Sequence, residues 1–124
     1  MAQIKKTTFR ETYTHQRGWG VEYWIENLSD YCGKVLLIDP NKRCSLHFHI
    51  DKLETMYLQS GAATILFIDP ETGKEYDEYL FAGDSIKIPR GQVHQIIAGA
   101  TGAEIIEFST KHEETDSYRV KKGD

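Results

Sequence analysis

The sequence predicts an all-β sandwich or barrel folded as one domain. Three observations carry that prediction. Turn signals recur every 8–12 residues, no segment keeps a helical period, and 124 residues suffice for one core but not for a second. The expected strands, in order, are Phe9–Thr14, Val21–Asn27, Lys34–Ile38, Ser45–Ile50, Glu54–Ser60, Ala63–Asp69, Tyr76–Phe81, Asp84–Ile88, Gln92–Ala98 and Glu104–Ser109. The punctuation between them has physical causes. Asp39-Pro40-Asn41 ends a strand because proline cannot donate to a central ladder. Asp69-Pro70-Glu71-Thr72-Gly73 offers a proline for a turn's second position and a glycine free to take positive φ. Ala82-Gly83-Asp84 is a tight corner of the same kind, and Gly61 and Gly91 are also read as turn glycines. Lys111–Asp124 is mostly charged and is expected at the surface, as a tail or a short helical turn.

Composition excludes several function classes. A formal charge of −4 argues against a nucleic-acid footprint, which needs a basic stripe to neutralise phosphates. No apolar run approaches the roughly 20 residues of a membrane span. The first residues, Met-Ala-Gln-Ile-Lys-Lys-Thr-Thr, are charged without an apolar stretch behind them, so a cytoplasmic location is expected rather than secretion. Cys32 and Cys44 form no CxxC pair and are expected as reduced thiols.

One constellation points to metal chemistry. His47 and His49 are two residues apart in a strand, so both side chains leave the same face. Glu54 opens the return strand beyond a turn at Asp51-Lys52 and can face them across the ladder. His94 must come from a later strand that closes over them. Three imidazoles and a carboxylate make a mixed nitrogen and oxygen donor set that suits a first-row divalent ion, with Zn, Mn, Fe, Co and Ni all acceptable. His15 and His112 lack such company and are expected to be structural or at the surface.

Parity extends the reading. With Ser45, His47 and His49 inward, Cys44, Leu46, Phe48 and Ile50 point outward, and a row that apolar needs cover from another sheet or a partner subunit. The aromatic segment Lys5–Asn27 is expected to add strands to a sheet edge at a homodimer interface. Gln92 shares parity with His94, and Met56 and Leu58 with Glu54, so these should line a pocket with an apolar wall and a polar end. Tyr57 falls on the other parity and is expected to pack. Lys52 is expected to fold over the barrel mouth toward an anionic or hydroxylated substrate, and Arg90 to clamp a phosphate with its planar fork.

The stretch His47-Phe-His49-Ile-Asp-Lys-Leu-Glu54-x6-Gly61 resembles the first motif of the cupin superfamily. Gly83-Asp-Ser-Ile-Lys-Ile-Pro89-Arg-Gly91-Gln-Val-His94 resembles the second, with 21 residues between them. The resemblance covers residues 34–109 and implies a double-stranded β-helix holding its metal on His47, His49, Glu54 and His94. It divides the chain into N-terminal strands over 1–33, a barrel core over 34–109 and a charged tail over 110–124. Two positions depart from the pattern: Asn41 stands where the glycine six residues before the first histidine is usual, and Ala98 where an asparagine often ends the second motif.

More loosely, Arg17-Gly-Trp19-Gly-Val-Glu-Tyr23, Cys44-Ser45-Leu46-His47, Ile88-Pro89-Arg-Gly91-x2-His94 and Glu104-Ile-Ile-Glu107 are similar in order to the cupin domain of type II mannose-6-phosphate isomerases. His47 replaces a glutamine common in that family. The resemblance implies aldose–ketose interconversion of a sugar or sugar phosphate, with the metal as Lewis acid and Glu54 or Lys52 as the base. A lysine serves as a base only where burial lowers its pKa. Lys52, Arg90, Gln92 and Met56 are the expected substrate contacts. Cupins also host Fe(II) dioxygenases and sugar-binding modules without turnover, and both stay open at this level.

Overall fold

In a computed structural model, residues 3–8 and 13–124 are described. They form β1 (Tyr13–Arg17), β2 (Gly20–Asn27), β3 (Cys32–Ile38), β4 (Leu46–Phe48), β5 (Glu54–Ile68), β6 (Glu75–Phe81), β7 (Ser85–Ile88), β8 (Val93–Ser109) and β9 (Tyr118–Lys121). Helical content among these residues is one 3-10 turn, Glu114–Asp116. All pairings are antiparallel. One path runs β1-β2-β3-β8-β4-β9, and β5 joins it through β8 while also pairing with β6 and β7. The chain is therefore a single all-β domain whose sheet curls back on itself.

Two long strands replace four expected short ones. Glu54–Ser60 and Ala63–Asp69 are one strand, β5, while Gln92–Ala98 and Glu104–Ser109 are the ends of β8. Residues 54–61 of β5 pair with 103–109 of β8, and 63–68 pair with 93–98, with register shifts at Leu58/Ser60 and Gly61/Ala63. Those bulges flip the inward parity. Glu54, Met56 and Leu58 are buried on one side of the bend, and Ala63, Ile65 and Phe67 on the other. β8 does the same, from His94, Ile96 and Ala98 to Ala103, Ile105 and Glu107. At the bend Gly61 (φ 82°) backs onto the carbonyl of Gly102 (φ 81°), where a Cβ would collide. Bulges of this kind let one strand serve two parts of a closed sheet.

The core lies at one end of this barrel. Leu58, Ile65 and Ile105 have no exposed surface, and Leu36, Ile38, Met56, Ile88 and Ile96 pack with them. The inward row of β3 reads Cys32, Lys34, Leu36, Ile38, so the interior changes from polar to apolar along the strand. The site sits at the polar end.

Several expectations change at the edges. Among the described residues β1 runs Tyr13–Arg17, and most of the expected strand Phe9–Thr14 lies outside them, at residues 9–12. β1 and β2 do add to the sheet edge beside β3. The tail contains the expected short helical turn, but it also supplies β9, which pairs with β4. Tyr118 stacks on Phe48 at 5.1 Å, so part of the apolar row on β4 is covered by the same chain. Cys44 faces the core rather than solvent, because regular strand geometry begins only at Leu46 and the alternation does not extend back past it. Cys32 and Cys44 are both free and buried. Asn41 adopts φ 62°, the one positive-φ position among described non-glycine residues. Asparagine tolerates that region, so it serves where the usual glycine is missing.

A candidate metal centre

β4 and β8 bring the histidines together. His47 pairs in register with His94, so cross-strand geometry puts both rings on the inner face, with centroids 4.5 Å apart. His49 follows at the end of β4. One ligand nitrogen from each of His47, His49 and His94 lies within 4.8 Å of the others. Each ring is turned the same way by a carbonyl acceptor. The Nδ1 of His47 meets the oxygen of Ser45 at 2.9 Å, that of His49 meets Asp116 at 2.8 Å, and that of His94 meets Gln92 at 2.8 Å. Nδ1–H donation to a carbonyl fixes the tautomer and leaves Nε2 with a lone pair aimed inward. Burial pushes the His47 imidazole down to about 3, reinforced by His94, and burial also lowers His49. Neutral rings are what a divalent ion requires.

Glu54 approaches two of these rings. Its Oε1 is 3.0 Å from His94 Nε2, and its Oε2 is 3.8 Å from His49 Nε2 and 3.1 Å from Lys52 Nζ. Despite this proximity, both carboxylate oxygens and His94 Nε2 are buried without a properly directed hydrogen bond. With His94 Nδ1 engaged by Gln92, Nε2 and Oε1 face each other as two acceptors. That arrangement needs a cation between them, either a shared proton or a metal ion. Three converging imidazoles beside a carboxylate fit the metal.

Lys52 is not at the mouth. It is buried, and its ammonium lies 3.1 Å from Glu54, 3.1 Å from Glu107 and 3.2 Å from His112 Nδ1. Burial works against the charged form, but Glu107 and Glu54 overcome it and raise the pKa. The lowered pKa that a lysine base requires is therefore absent. The same carboxylate neighbourhood holds Glu54 well below the usual range: burial opposes ionisation, while His94 and Lys52 outweigh it.

A cavity of about 390 Å³ opens over these groups. His47, His49, Lys52 and Met56 line it, as do Glu107, His112, Glu22 and Lys34. Two expected contacts do not. Arg90 is exposed and its Nε donates to the Asp51 carbonyl at 2.8 Å, bracing the turn instead of reaching the cavity. Gln92 donates through Nε2 to the carbonyls of Ile68 and Val93, both at 3.0 Å, and orients His94 with its backbone. Leu58 sits in the core beneath.

Sequence reasoning missed the second half of the cavity. Glu22 accepts from Lys34 at 3.0 Å, Trp24 Nε1 at 2.8 Å and Arg17 Nε at 3.1 Å. Lys34 is 2% exposed and lies 4.2 Å from the centre of the Trp24 ring. Burial alone would raise the Glu22 pKa, yet Lys34, Trp24 and Arg17 bring it down to about 2. His112, expected to be structural or at the surface, lines the cavity, and burial with Lys34 and Lys52 nearby lowers it to about 4. A signal was available for two of these residues: Lys34 and Glu107 occupy inward positions of otherwise apolar alternating strands. His15 packs against Tyr13 and Trp24 and has a structural part.

Comparisons place this architecture. Oxalate decarboxylase from Bacillus subtilis superposes with a TM-score of 0.83 at 19% identity, covering 97% of this chain and 33% of that one. A variant of the same enzyme gives 0.82 at 18%, over 97% and 34%. At such identity the likeness is one of fold, and the chain spans about a third of the length of those proteins. No curated protein matches the sequence. Among the described residues no helix is long and apolar enough to cross a membrane. The sequence matches the family described as Cupin over residues 3–121, and with the curled antiparallel barrel and its three-histidine cluster in view, the chain belongs to the cupin family.

Proposed function

We propose that this cupin is metal-dependent and acts on a sugar or sugar phosphate by aldose–ketose isomerisation. The observation that carries the reading is the convergence of three imidazoles beside buried carboxylates, two of them, His47 and His49, lining a cavity of about 390 Å³. A divalent ion held by His47, His49 and His94, with Glu54 completing the set, supplies Lewis acidity toward a carbonyl when bound. The other requirement is a group that moves a proton between adjacent carbons from within hydrogen-bond reach. Glu54 is poorly placed for it, since both its oxygens face imidazoles or Lys52. Glu107 lines the cavity, and we assign it that role. Lys52 bridges the two carboxylates at 3.1 Å each and holds Glu107 in position. Leu36, Met56 and Ile96 supply the apolar wall that limits water on the far side.

A second reading, decarboxylation of a small dicarboxylate, draws on the structural likeness to oxalate decarboxylase. Elemental analysis of purified protein, followed by turnover assays with mannose 6-phosphate, fructose 6-phosphate and oxalate, separates the two. Isomerisation of the sugar phosphates supports the first reading and carbon dioxide release from oxalate the second. Tight binding with no turnover indicates a binding module, and oxygen uptake under iron loading indicates an oxygenase. Full turnover and metal content in His94→Ala would sink the metal-dependent reading altogether.

The homodimer expected from the N-terminal segment belongs to the same proposal. Tyr13, Ile25 and Tyr31, each more than half exposed on or beside β1 and β2, are the side chains it would cover. Light scattering on the wild type and Ile25→Arg tests it, with a monomeric wild type as the refuting result.

A further inference from the structure

The charges inside the cavity are nearly all matched. Lys34 and Arg17 share Glu22, and Lys52 lies between Glu54 and Glu107. Two cations in the lining are different. The side chains of Arg119 and Lys122 make no hydrogen bond or ion pair among the described residues, although both residues line the cavity. The lining carboxylates nearest to them in sequence are engaged elsewhere. Asp124 accepts the backbone N–H of Arg43 at 2.8 Å, and Glu114 lies 3.5 Å from His112 Nε2.

Register places Arg119 over the metal site. It is the cross-strand partner of His47, and its neighbour Tyr118 pairs with Phe48 on the opposite face. Side chains directly opposite on an antiparallel pair share a face, with Cβ atoms on the order of 5 Å apart. A flexible guanidinium rooted there reaches a ligand already touching the histidines. Arginine suits this because its planar fork binds a carboxylate or a phosphate with two parallel hydrogen bonds.

We propose that Arg119 and Lys122 form an anion subsite at the cavity mouth. The ligand then carries an oxyanion, phosphate or carboxylate, at the end away from the histidines. This rests on the reading of the cavity as the ligand site. It adds which residues select the ligand and by what charge.

The test uses the full chain loaded with Co(II), with metal content measured on every sample. Isothermal titration calorimetry follows mannose, mannose 6-phosphate and malonate into the wild type, an Arg119→Gln/Lys122→Gln double variant, and a Lys74→Gln/Lys87→Gln control that removes the same charge outside the lining. In the wild type and the control, an anionic probe binds at least tenfold more tightly than mannose. The double variant loses most of that preference while keeping its metal content and melting temperature. Tighter binding of the sugar phosphate identifies a phosphate subsite, and tighter binding of malonate a carboxylate one. Retention of the preference in the double variant, binding of both anionic probes no tighter than that of mannose, or no binding of any probe overturns the subsite. A wild type without metal counts against the metal reading alone, because the anion preference and its loss can still be measured on that protein.

Discussion

The backbone carbonyl of Asp116 accepts the Nδ1–H of His49 at 2.8 Å, across 67 residues of sequence. The same residue turns its carboxylate onto the loop after β4. Oδ1 accepts the N–H of Ile50 at 2.8 Å, Oδ2 that of Lys52 at 3.0 Å, and both accept from Asp51 at 3.1 Å. One buried residue thereby sets the ring of His49 and the start of the segment that delivers Lys52 and Glu54.

Replacing Asp116 should therefore weaken metal binding without removing a ligand. Asp116→Ala leaves three backbone N–H groups without their acceptor, and groups supporting metal ligands typically matter by 10- to 100-fold in affinity. The expected result in a competitive chelator titration is a loss of about that size, with Asp116→Asn in between. Unchanged affinity in Asp116→Ala would show that the turn holds itself.

The histidine cluster makes a stoichiometric prediction. Single alanine substitutions at His47, His49 and His94 should each reduce bound metal from about one ion per chain to a small fraction, since a three-nitrogen site with one donor missing retains a divalent ion poorly. His112→Ala should leave the stoichiometry intact, because its Nδ1 faces Lys52 and it stands outside the cluster. Mass-spectrometric metal counts on dialysed protein check both halves.

Core packing predicts a separate, metal-independent effect. Leu58 is fully buried in the cluster with Ile65 and Ile105. Leu58→Ala should cost about 3 kcal/mol in urea unfolding, the usual size for a large-to-small change in a tightly packed site. Tyr79→Ala, at a 70% exposed residue of β6, should cost less than about 1 kcal/mol.

Acid stability should depend on Glu22. Its folded pKa of about 2 is depressed from an ordinary 4.5, so its stabilisation is complete above pH 4.5 and is lost as pH falls toward 2. That shift corresponds to roughly 3 kcal/mol, an upper figure for a group that keeps some contact with solvent. In Glu22→Gln the stability difference from the wild type should be largest near pH 6 and shrink on acidification. A difference that stays constant from pH 6 to pH 2.5 would mean that Lys34 and Arg17 do not act on this carboxylate.

The ligand positions were legible because spacing and parity are local. His47 and His49 needed only a strand, and the turn before Glu54 brought the carboxylate back beside them. Lys52 was read only in part, since nothing near it in sequence announces Glu107, 55 residues away and paired with it only once β8 lies beside β5. Arg90 looked like a clamp because its type and place in the motif suited one, yet the bend directs its Nε to the Asp51 carbonyl. β9 was hidden by composition. Tyr-Arg-Val-Lys alternates too briefly to stand out as a strand, and all four residues are exposed, so pairing with β4 rather than burial defines it.

The segment after β9 has a practical consequence. Asp124 donates its backbone N–H to Arg43 at 3.0 Å and lines the cavity, while Gly123 lies so close to the backbone of Cys44 that a side chain would not fit. Whatever is joined after Asp124, whether an affinity tag, a linker or another domain, departs from the doorway of the pocket. Ligand access measured on a protein extended there would report on the extension as much as on the barrel, and a fusion at that point could be built deliberately as a gate.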